Sequence, residues 1–292
     1  MNEFARFHPW VIFIYFLSVF LIICAHINPI CVAIAFCTAF SYCAVVKGKK
    51  TLYKNLAIMP LLLCAMALIN PAFNHRGVTI LTYLPSGNPL TAESICFGFI
   101  AAGMVLSIML YFSCFNEIMT SDKIIYIFGK IIPSLSLIFS MTLRTVPIFR
   151  KRINAITRAQ KCIGRSPFDG TPMKRVKSGL AILSIMITWS MENAIETADS
   201  MKSRGFGVAK RTSFSIYSFT KRDKKVLFAI CILVAYVAIG GAMGVFSFAC
   251  FPYISMAKIS PYAFSVYFAE LLLFIIPIIV EVTELKKWKS TN

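Results

Sequence analysis

Residues 177–207 read KSGLAILSIMITWSMENAIETADSMKSRGFG, a helical pattern that is apolar in its first half and polar in its second. The stretch belongs to a basic block, residues 144–225, which holds 18 of the chain's 30 Lys and Arg residues and only five acidic residues. Long apolar segments lie before and after this block. A mid-chain block of this kind is typical of a cytoplasmic insertion between membrane spans.

The composition is that of an integral membrane protein. Of the 292 residues, 58% are hydrophobic and only 14% are charged, whereas a soluble domain carries about 25% charged residues. The ten cysteines lie mostly inside apolar runs, and none forms a Cys-x-x-Cys pair. We therefore interpret them as small buried apolar side chains and not as disulfides or metal ligands.

Six segments are apolar over roughly the 20 residues that a transmembrane helix needs. They lie near 9–26, 29–46, 54–70, 94–115, 226–248 and 262–282. Lys and Arg concentrate after the second, fourth and sixth segments, and the other loops are nearly free of them. By the positive-inside rule, this distribution predicts six spans with both termini in the cytoplasm.

The predicted fold is therefore an all-α polytopic membrane protein with about six transmembrane helices and two long cytoplasmic helices. Four spans lie in residues 1–120, the cytoplasmic region is 121–225, and the last two spans with a basic tail lie in 226–292. Residues 123–143 are apolar but interrupted by Gly, Lys and Pro. We expect them to form an interfacial or re-entrant helix pair.

The two long cytoplasmic helices are separated by a predicted turn over 164–172. The first helix ends at Gly164, where Gly and a following Ser-Pro stop the helical pattern. Its cations recur every seven residues, at Arg144, Lys151, Arg158 and Arg165. The second helix is predicted to run from about Lys177 to Ser203, with Gly205 as its C-terminal cap.

The sequence carries no recognisable catalytic or nucleotide-binding motif. The phosphate-binding loop Gly-x-x-x-x-Gly-Lys-Ser/Thr is missing, so this chain is not expected to bind ATP by itself. His8, His26 and His75 are too widely spaced to suggest a metal site. Glu270 is the one acidic residue well inside a span, and it is either a pathway group or, as we favour, a structural pairing partner. No catalytic residue, metal site or cofactor is predicted.

The basic block has two interpretations. It could be a surface attracted to anionic membrane lipids, at about 1 kcal/mol for each basic residue near the surface. It could also be a platform on which a soluble partner protein docks. A lipid surface does not require an arginine at the foot of a rigid helix, as at Arg204, and Arg suits bidentate pairing with a carboxylate. The sequence favours docking.

Several motifs resemble those of one transporter family. The chain resembles the transmembrane T component of energy-coupling factor (ECF) transporters, which import vitamins and transition-metal ions, and it is also related to the transmembrane subunit of cobalt and nickel importers. The residues that carry the resemblance are Phe7-His8-Pro9, Asn70 to His75, Gly87 to Thr91, Ser121-Asp122-Lys123 and Ser140 to Arg144.

The resemblance also implies an Ala-Arg-Gly-type motif at the end of each of two coupling helices, where ATPase subunits dock. The second motif is matched by Ser203, Arg204 and Gly205, with serine in the alanine place. The first is matched by Ala159, Gln160 and Gly164. Ile163 stands where the family has its arginine, which leaves Lys161 and Arg165 as candidate cations.

By this resemblance, the chain is a non-catalytic scaffold in the cell membrane. Its implied partners are two ABC-type ATPase subunits, a small substrate-binding membrane S component and membrane lipids, with no nucleic acid. ATP hydrolysis by the ATPases would move the coupling helices and, with them, the S component. The implied S-component contacts are Phe149, Ile153, Ile156, Ile187, Met191 and Ala194.

Two other classes remain as alternatives. A stand-alone secondary transporter or channel with a lipid-binding basic region would require polar residues along several spans and inverted repeats, and spans one to three carry almost no such residues. A membrane-embedded enzyme of lipid metabolism would require a cluster of acids or histidines at one interface. Uptake without an ATPase would favour the first alternative, and turnover of a lipid the second.

Overall fold

The computed structural model describes residues 3–74, 77–83, 89–208, 217–256 and 260–291. A short 3-10 helix, Glu3–Arg6, precedes eight α-helices. These are α1 Pro9–Ala25, α2 Pro29–Phe73, α3 Ala92–Ile118, α4 Ser121–Ile131, α5 Pro133–Cys162, α6 Pro172–Ser203, α7 Lys221–Ala242 and α8 Pro261–Thr291. The prediction of an all-α polytopic membrane protein is confirmed.

Two short antiparallel hairpins, which the sequence analysis did not anticipate, lie between the helices. Strands β1 (Ile80–Tyr83) and β2 (Pro89–Thr91) form one, and β3 (Phe248–Ala249) and β4 (Ser255–Met256) form the other. The resemblance motifs extend beyond the described part of the chain at His75, Gly87 and Asn88, as does the basic block at Lys210 and Arg211.

Each of the six predicted spans falls on an apolar helix. Within the described residues, five helical segments are long and apolar enough to cross a membrane: Pro29–Gly48, Ala92–Ile118, Pro172–Ser203, Lys221–Ala242 and Pro261–Thr283. The predicted first and third spans correspond to shorter apolar helices, Pro9–Ala25 and Met59–Pro71. One of the five, α6, is the segment that the sequence analysis assigned to the cytoplasm.

Two boundaries differ from the prediction because of glycines. The second and third predicted spans are both contained in α2, which bends at Gly48, whose φ of 71° and ψ of 173° are non-helical. Helix α7 ends at Ala242, so the predicted end of the fifth span at 248 is wrong. Gly244 adopts a φ of 79° just after it, and the apolar Phe246 is buried in the following turn.

The chain divides into two compact units, residues 1–124 with 217–292, and residues 125–216. The first unit holds the apolar spans around a core rich in large aromatic side chains, including Tyr15, Tyr42, Tyr111 and Phe274. Hydrogen bonds join its helices: the Tyr15 hydroxyl donates to the Phe274 carbonyl at 3.2 Å, and Tyr111 and Thr38 share one at 2.9 Å. Such bonds help to hold helices together inside a membrane.

The N-terminal segment, residues 3–8, is held by buried charged groups from distant parts of the first unit. Glu281 of α8 accepts hydrogen bonds from the backbone N–H groups of Glu3 at 3.1 Å and Phe4 at 3.2 Å. The two oxygens of this one carboxylate therefore pair with the two donors at the start of the 3-10 helix. We call this arrangement, together with the contacts of Lys123 and Asp223, the N-terminal clamp.

Lys123 and Asp223 complete the N-terminal clamp. The buried ammonium group of Lys123 donates to the Ala5 carbonyl at 2.6 Å and to the Ile118 carbonyl at 2.9 Å. Burial lowers the pKa of Lys123 below its usual range. The Asp223 carboxylate caps α7 and also accepts from the His8 backbone N–H at 3.3 Å. The clamp therefore ties the end of α3, the start of α7 and the second half of α8 to one short segment.

Candidate docking site at two helix ends

The second unit is built on α5 and α6, which the sequence predicted as the coupling helices. Each begins with a proline at its first position, Pro133 and Pro172, where the missing N–H costs least. Helix α4 stops at Ile131 because Ile132 precedes a proline and adopts non-helical backbone, with φ of −133° and ψ of 88°. The predicted helix pair over 123–143 is therefore α4 plus the first turns of α5.

One set of side chains joins α5 and α6 near their middles. The ring of Phe149 meets the ring of Trp189 edge to face, with 5.4 Å between centroids. The guanidinium of Arg152 lies 5.1 Å above the same Trp189 ring, a cation–π contact. Met186 of α6 is buried one turn before the tryptophan. Phe149 was predicted as an S-component contact, and within this unit it packs against α6.

Helix α5 ends in a Schellman motif, in which a glycine in the left-handed region reverses the chain. The N–H of Gly164 donates to the Lys161 carbonyl at 3.0 Å, and the N–H of Arg165 donates to the Gln160 carbonyl at 2.9 Å. Gly164 has a φ of 75°, which is favourable only without a Cβ. The sequence prediction that this helix ends at Gly164 is confirmed.

Helix α6 ends in the same motif. The N–H of Gly205 donates to the Lys202 carbonyl at 2.9 Å, and the N–H of Phe206 donates to the Met201 carbonyl at 3.0 Å. Gly205 has a φ of 79°, so its predicted role as the cap is confirmed. The two ends are therefore equivalent residue by residue, and Ile163 of α5 occupies the place of Arg204 of α6.

Replacing Gly205 with alanine is expected to strain the end of α6 without a steric clash. No described atom lies within 4 Å of a Cβ built at this position, so the cost is that of left-handed backbone, about 1–2 kcal/mol. The hydrogen bond of the Phe206 N–H should open more often. Hydrogen exchange at residues 204–207, measured on the purified chain, is expected to accelerate.

Gly179 provides the matched control for this prediction. It lies inside the same helix, again with no described atom within 4 Å of a built Cβ. Because its backbone is helical, Gly179→Ala should stabilise α6 by roughly 0.5–1 kcal/mol. Slower exchange in Gly205→Ala than in Gly179→Ala would contradict the assigned cap.

The predicted docking residues lie at the two helix ends and are mostly exposed. At the α6 end, Ser203, Arg204 and Gly205 are exposed. At the α5 end, the exposed members are Ala159, Lys161, Gly164 and Arg165. None of the cations at either end forms an ion pair with any residue that the structure describes. These charges are therefore available to a partner.

Gln160 is the predicted docking residue that is not fully exposed. Its side-chain oxygen is buried and makes no hydrogen bond within the described part of the chain. A buried polar atom without a partner costs about 1–3 kcal/mol. We expect this side chain to reorient when a partner offers a donor.

Four apolar residues form a stripe along one side of α6. Leu183, Ile187, Met191 and Ile195 follow one another at intervals of four residues, and 51–63% of each side chain is exposed. Two of them, Ile187 and Met191, were predicted as S-component contacts. The other predicted contacts have mixed exposure: Ile153 and Ala194 are exposed, and Ile156 is half-buried. An exposed apolar stripe of this length marks a surface for another protein or for lipid.

Several contacts of important residues were not identified from the sequence. Trp189 and Arg152, which join α6 and α5, belong to no recognisable sequence motif. In the N-terminal clamp, Glu281 and Asp223 contact residues more than 200 positions away in the chain. Glu270, the intramembrane acid, is 1% exposed and lies beside the thiol of Cys31, and its Oε2 atom has no hydrogen-bond partner among the described residues. None of these contacts can be predicted from a pattern in the local sequence.

Comparison with known proteins gives two consistent findings. Residues 5–216 match the family model described as CbiQ, cobalt transport protein. The chain is also similar to curated bacterial proteins named energy-coupling factor transporter transmembrane protein EcfT. The first finding covers most of the chain, and the second covers about a third of it or slightly more.

Three of these EcfT proteins show the extent of the similarity. The protein from Leuconostoc gelidum subsp. gasicomitatum is 33% identical over 103 residues, 35% of this chain and 38% of the relative. The protein from Lactobacillus helveticus is 32% identical over 118 residues, 40% and 43% of the two chains. The protein from Lactococcus lactis subsp. cremoris is 31% identical over 100 residues, 34% and 38%. The chain spans 38% to 43% of the length of these relatives.

Proposed function

This chain belongs to the CbiQ family of cobalt transport proteins, and we propose that it is the transmembrane scaffold of an ATP-driven importer of the ECF type. In this role it binds two ABC-type ATPase subunits on its cytoplasmic side and a small substrate-binding S component in the membrane. It has no catalytic function of its own. The cargo is a vitamin or a transition-metal ion, and the description of the family as cobalt transport proteins favours a metal ion.

The observation that carries this proposal is the pair of equivalent helix ends. Two long helices end in the same hydrogen-bonded cap, and each cap presents exposed cations that form no ion pair with any residue the structure describes. The caps hold the backbone in one conformation, so little entropy is lost when they enter a groove. A scaffold that binds two related ATPase subunits requires two rigid helix ends of this kind.

The apolar stripe on α6 supports a second contact, with the S component. Leu183, Ile187, Met191 and Ile195 expose apolar surface to a partner that itself lies in the membrane. Trp189, on the same helix, is bound to α5 through Phe149 and Arg152. This junction lets the two helices move together, so that a displacement of the helix ends reaches the stripe.

The composition of the native complex tests the whole proposal. The tagged chain is purified from its native membrane in mild detergent, and the co-eluting proteins are identified by mass spectrometry. The expected result is two ATPase subunits and one small hydrophobic protein, whose identity indicates the cargo. A chain that elutes alone would overturn the proposal and favour a stand-alone transporter with a lipid-binding basic region.

The proposed orientation predicts which face of the membrane exposes Cys162. This free, exposed thiol lies in the last turn of α5, at the helix end assigned to the cytoplasm. A membrane-impermeant maleimide should therefore label it in inside-out vesicles and not in right-side-out vesicles. Cys162→Ser is the control, because it removes only this site. If right-side-out vesicles with the wild-type chain are labelled and those with Cys162→Ser are not, Cys162 faces the outside. That result would contradict the cytoplasmic assignment.

A further inference from the structure

The two helix ends carry the same kinds of side chain in opposite order. When the caps are aligned by their hydrogen bonds, Gly164 corresponds to Gly205. The residue before the glycine is Ile163 in α5 and Arg204 in α6, and the residue after it is Arg165 in α5 and Phe206 in α6. Each cap therefore presents one arginine and one large apolar side chain, on opposite sides of a left-handed glycine.

We propose that Arg165 is the docking cation of the α5 end, and that the reversed order makes each end selective for a different groove. The groove for the α6 end has an acceptor facing the residue before the glycine and an apolar pocket facing the residue after it. In the groove for the α5 end, the apolar pocket faces the residue before the glycine and the acceptor faces the residue after it. This inference rests on the proposed function, in which both ends bind ATPase subunits.

The alignment distinguishes Arg165 from Lys161, the other candidate. Lys161 corresponds to Lys202, which is present in the α6 end together with Arg204. A lysine at this place is thus common to both ends and does not replace the missing arginine. Arginine also presents a planar fork that pairs with a carboxylate through two hydrogen bonds, which an ammonium group cannot do.

The exposed apolar side chains at the two ends also support the reversed order of arginine and apolar residue. Ile163 is 64% exposed and Phe206 is 53% exposed, so each is a large apolar group that the isolated chain leaves in contact with solvent. In the usual form of this cap, the residue after the glycine makes an apolar contact with the helix. Phe206 and Met201 fit that form at the α6 end, whereas the α5 end has Arg165 and the polar Gln160 at these places.

Selectivity follows from the rigidity of the caps. Because the backbone hydrogen bonds fix where each side chain leaves the helix end, an end placed in the wrong groove would set Ile163 against a carboxylate and Arg165 against an apolar pocket. A buried charge without a partner is strongly unfavourable. The wrong pairing should therefore be weaker by about 10- to 100-fold.

The test uses the full complex and charge reversals at the two candidate cations. Arg165→Glu, Lys161→Glu and an exposed control in the first turns of α7, Lys225→Glu, are purified with their partners, and the ATPase subunits per scaffold are counted by native mass spectrometry. Arg165→Glu is expected to lose one of two ATPase subunits, with an affinity about 10- to 100-fold lower. Lys161→Glu should cause a much smaller loss, and Lys225→Glu should keep both subunits.

A swap variant tests the order itself. Ile163→Arg combined with Arg165→Phe gives the α5 end the order of the α6 end, and it should recruit the ATPase chain normally bound at α6 to both ends. Equal losses in Lys161→Glu and Arg165→Glu, an unchanged composition in the swap, or two identical ATPase chains on the wild-type scaffold would each overturn the inference. A wild-type chain without any ATPase would instead overturn the proposed function.

Discussion

Replacing Arg204 with glutamate is expected to release the ATPase subunit from the α6 end and to abolish transport. Arg204 is exposed, it forms no ion pair within the described residues, and the capped end of α6 holds it in place. A charge-assisted hydrogen bond contributes about 1.5–3 kcal/mol, and a reversed charge facing an acidic groove adds repulsion. An affinity loss of at least about 100-fold is expected, measured by titrating ATPase subunits onto the purified scaffold.

Two further variants separate docking from damage to the helix. A glutamate at a helix C-terminus is itself unfavourable by about 0.3–1 kcal/mol, so Arg204→Ala shows how much of the loss comes from the missing cation alone. Lys177→Glu reverses an exposed charge at the other end of α6 and should leave binding intact. If the Arg204→Glu variant transports normally, the proposed docking role of the α6 end is wrong.

Replacing Glu281 with alanine is expected to destabilise the membrane unit more than the removal of any exposed acid. This buried carboxylate accepts the backbone N–H groups of Glu3 and Phe4, and alanine would leave both donors without a partner. Each unpaired donor costs about 1–3 kcal/mol, so a loss of about 2–5 kcal/mol is expected. The N-terminal segment should also become a site of proteolysis, because the clamp no longer holds it.

Thermal unfolding and limited proteolysis in detergent would measure this effect. Glu117→Ala is the matched control, since Glu117 is an exposed acid at the end of α3. Glu281→Gln should lose less stability than Glu281→Ala, because its amide oxygen still accepts one of the two hydrogen bonds. Equal stability of Glu281→Ala and Glu117→Ala would show that the clamp does not hold the N-terminus.

Much of the fold was predictable because its signals are local. Apolar segments of sufficient length predict helices from local sequence alone, and each of the six predicted spans falls on a helix. Gly164 and Gly205 predict helix ends because a left-handed residue is favourable without a Cβ. The error at the end of α7 also has a local cause. The sequence stays largely apolar up to residue 248, but α7 ends at Ala242, just before Gly244 with its positive φ.

Part of the candidate site was also predictable, again where the signal is local. Arg204 stands out because it lies between a polar helix and a glycine. The proposal of Arg165 in preference to Lys161 depends on the hydrogen bonds of both caps, since only these show which residues of the two ends correspond. The burial of Gln160 and the contact of Phe149 with Trp189 depend on how α5 and α6 pack.

By itself, the sequence determined that this is an all-α membrane protein with a basic central region and two long helices ending at glycines, because length, apolarity and backbone preference act within a few residues. Only the tertiary structure decided that Glu281 caps the N-terminal segment, that Lys123 and Asp223 join the same clamp, and that Trp189 of α6 packs against α5. These contacts join residues that are distant in the chain, and charge or size alone does not specify which distant partner a side chain will meet.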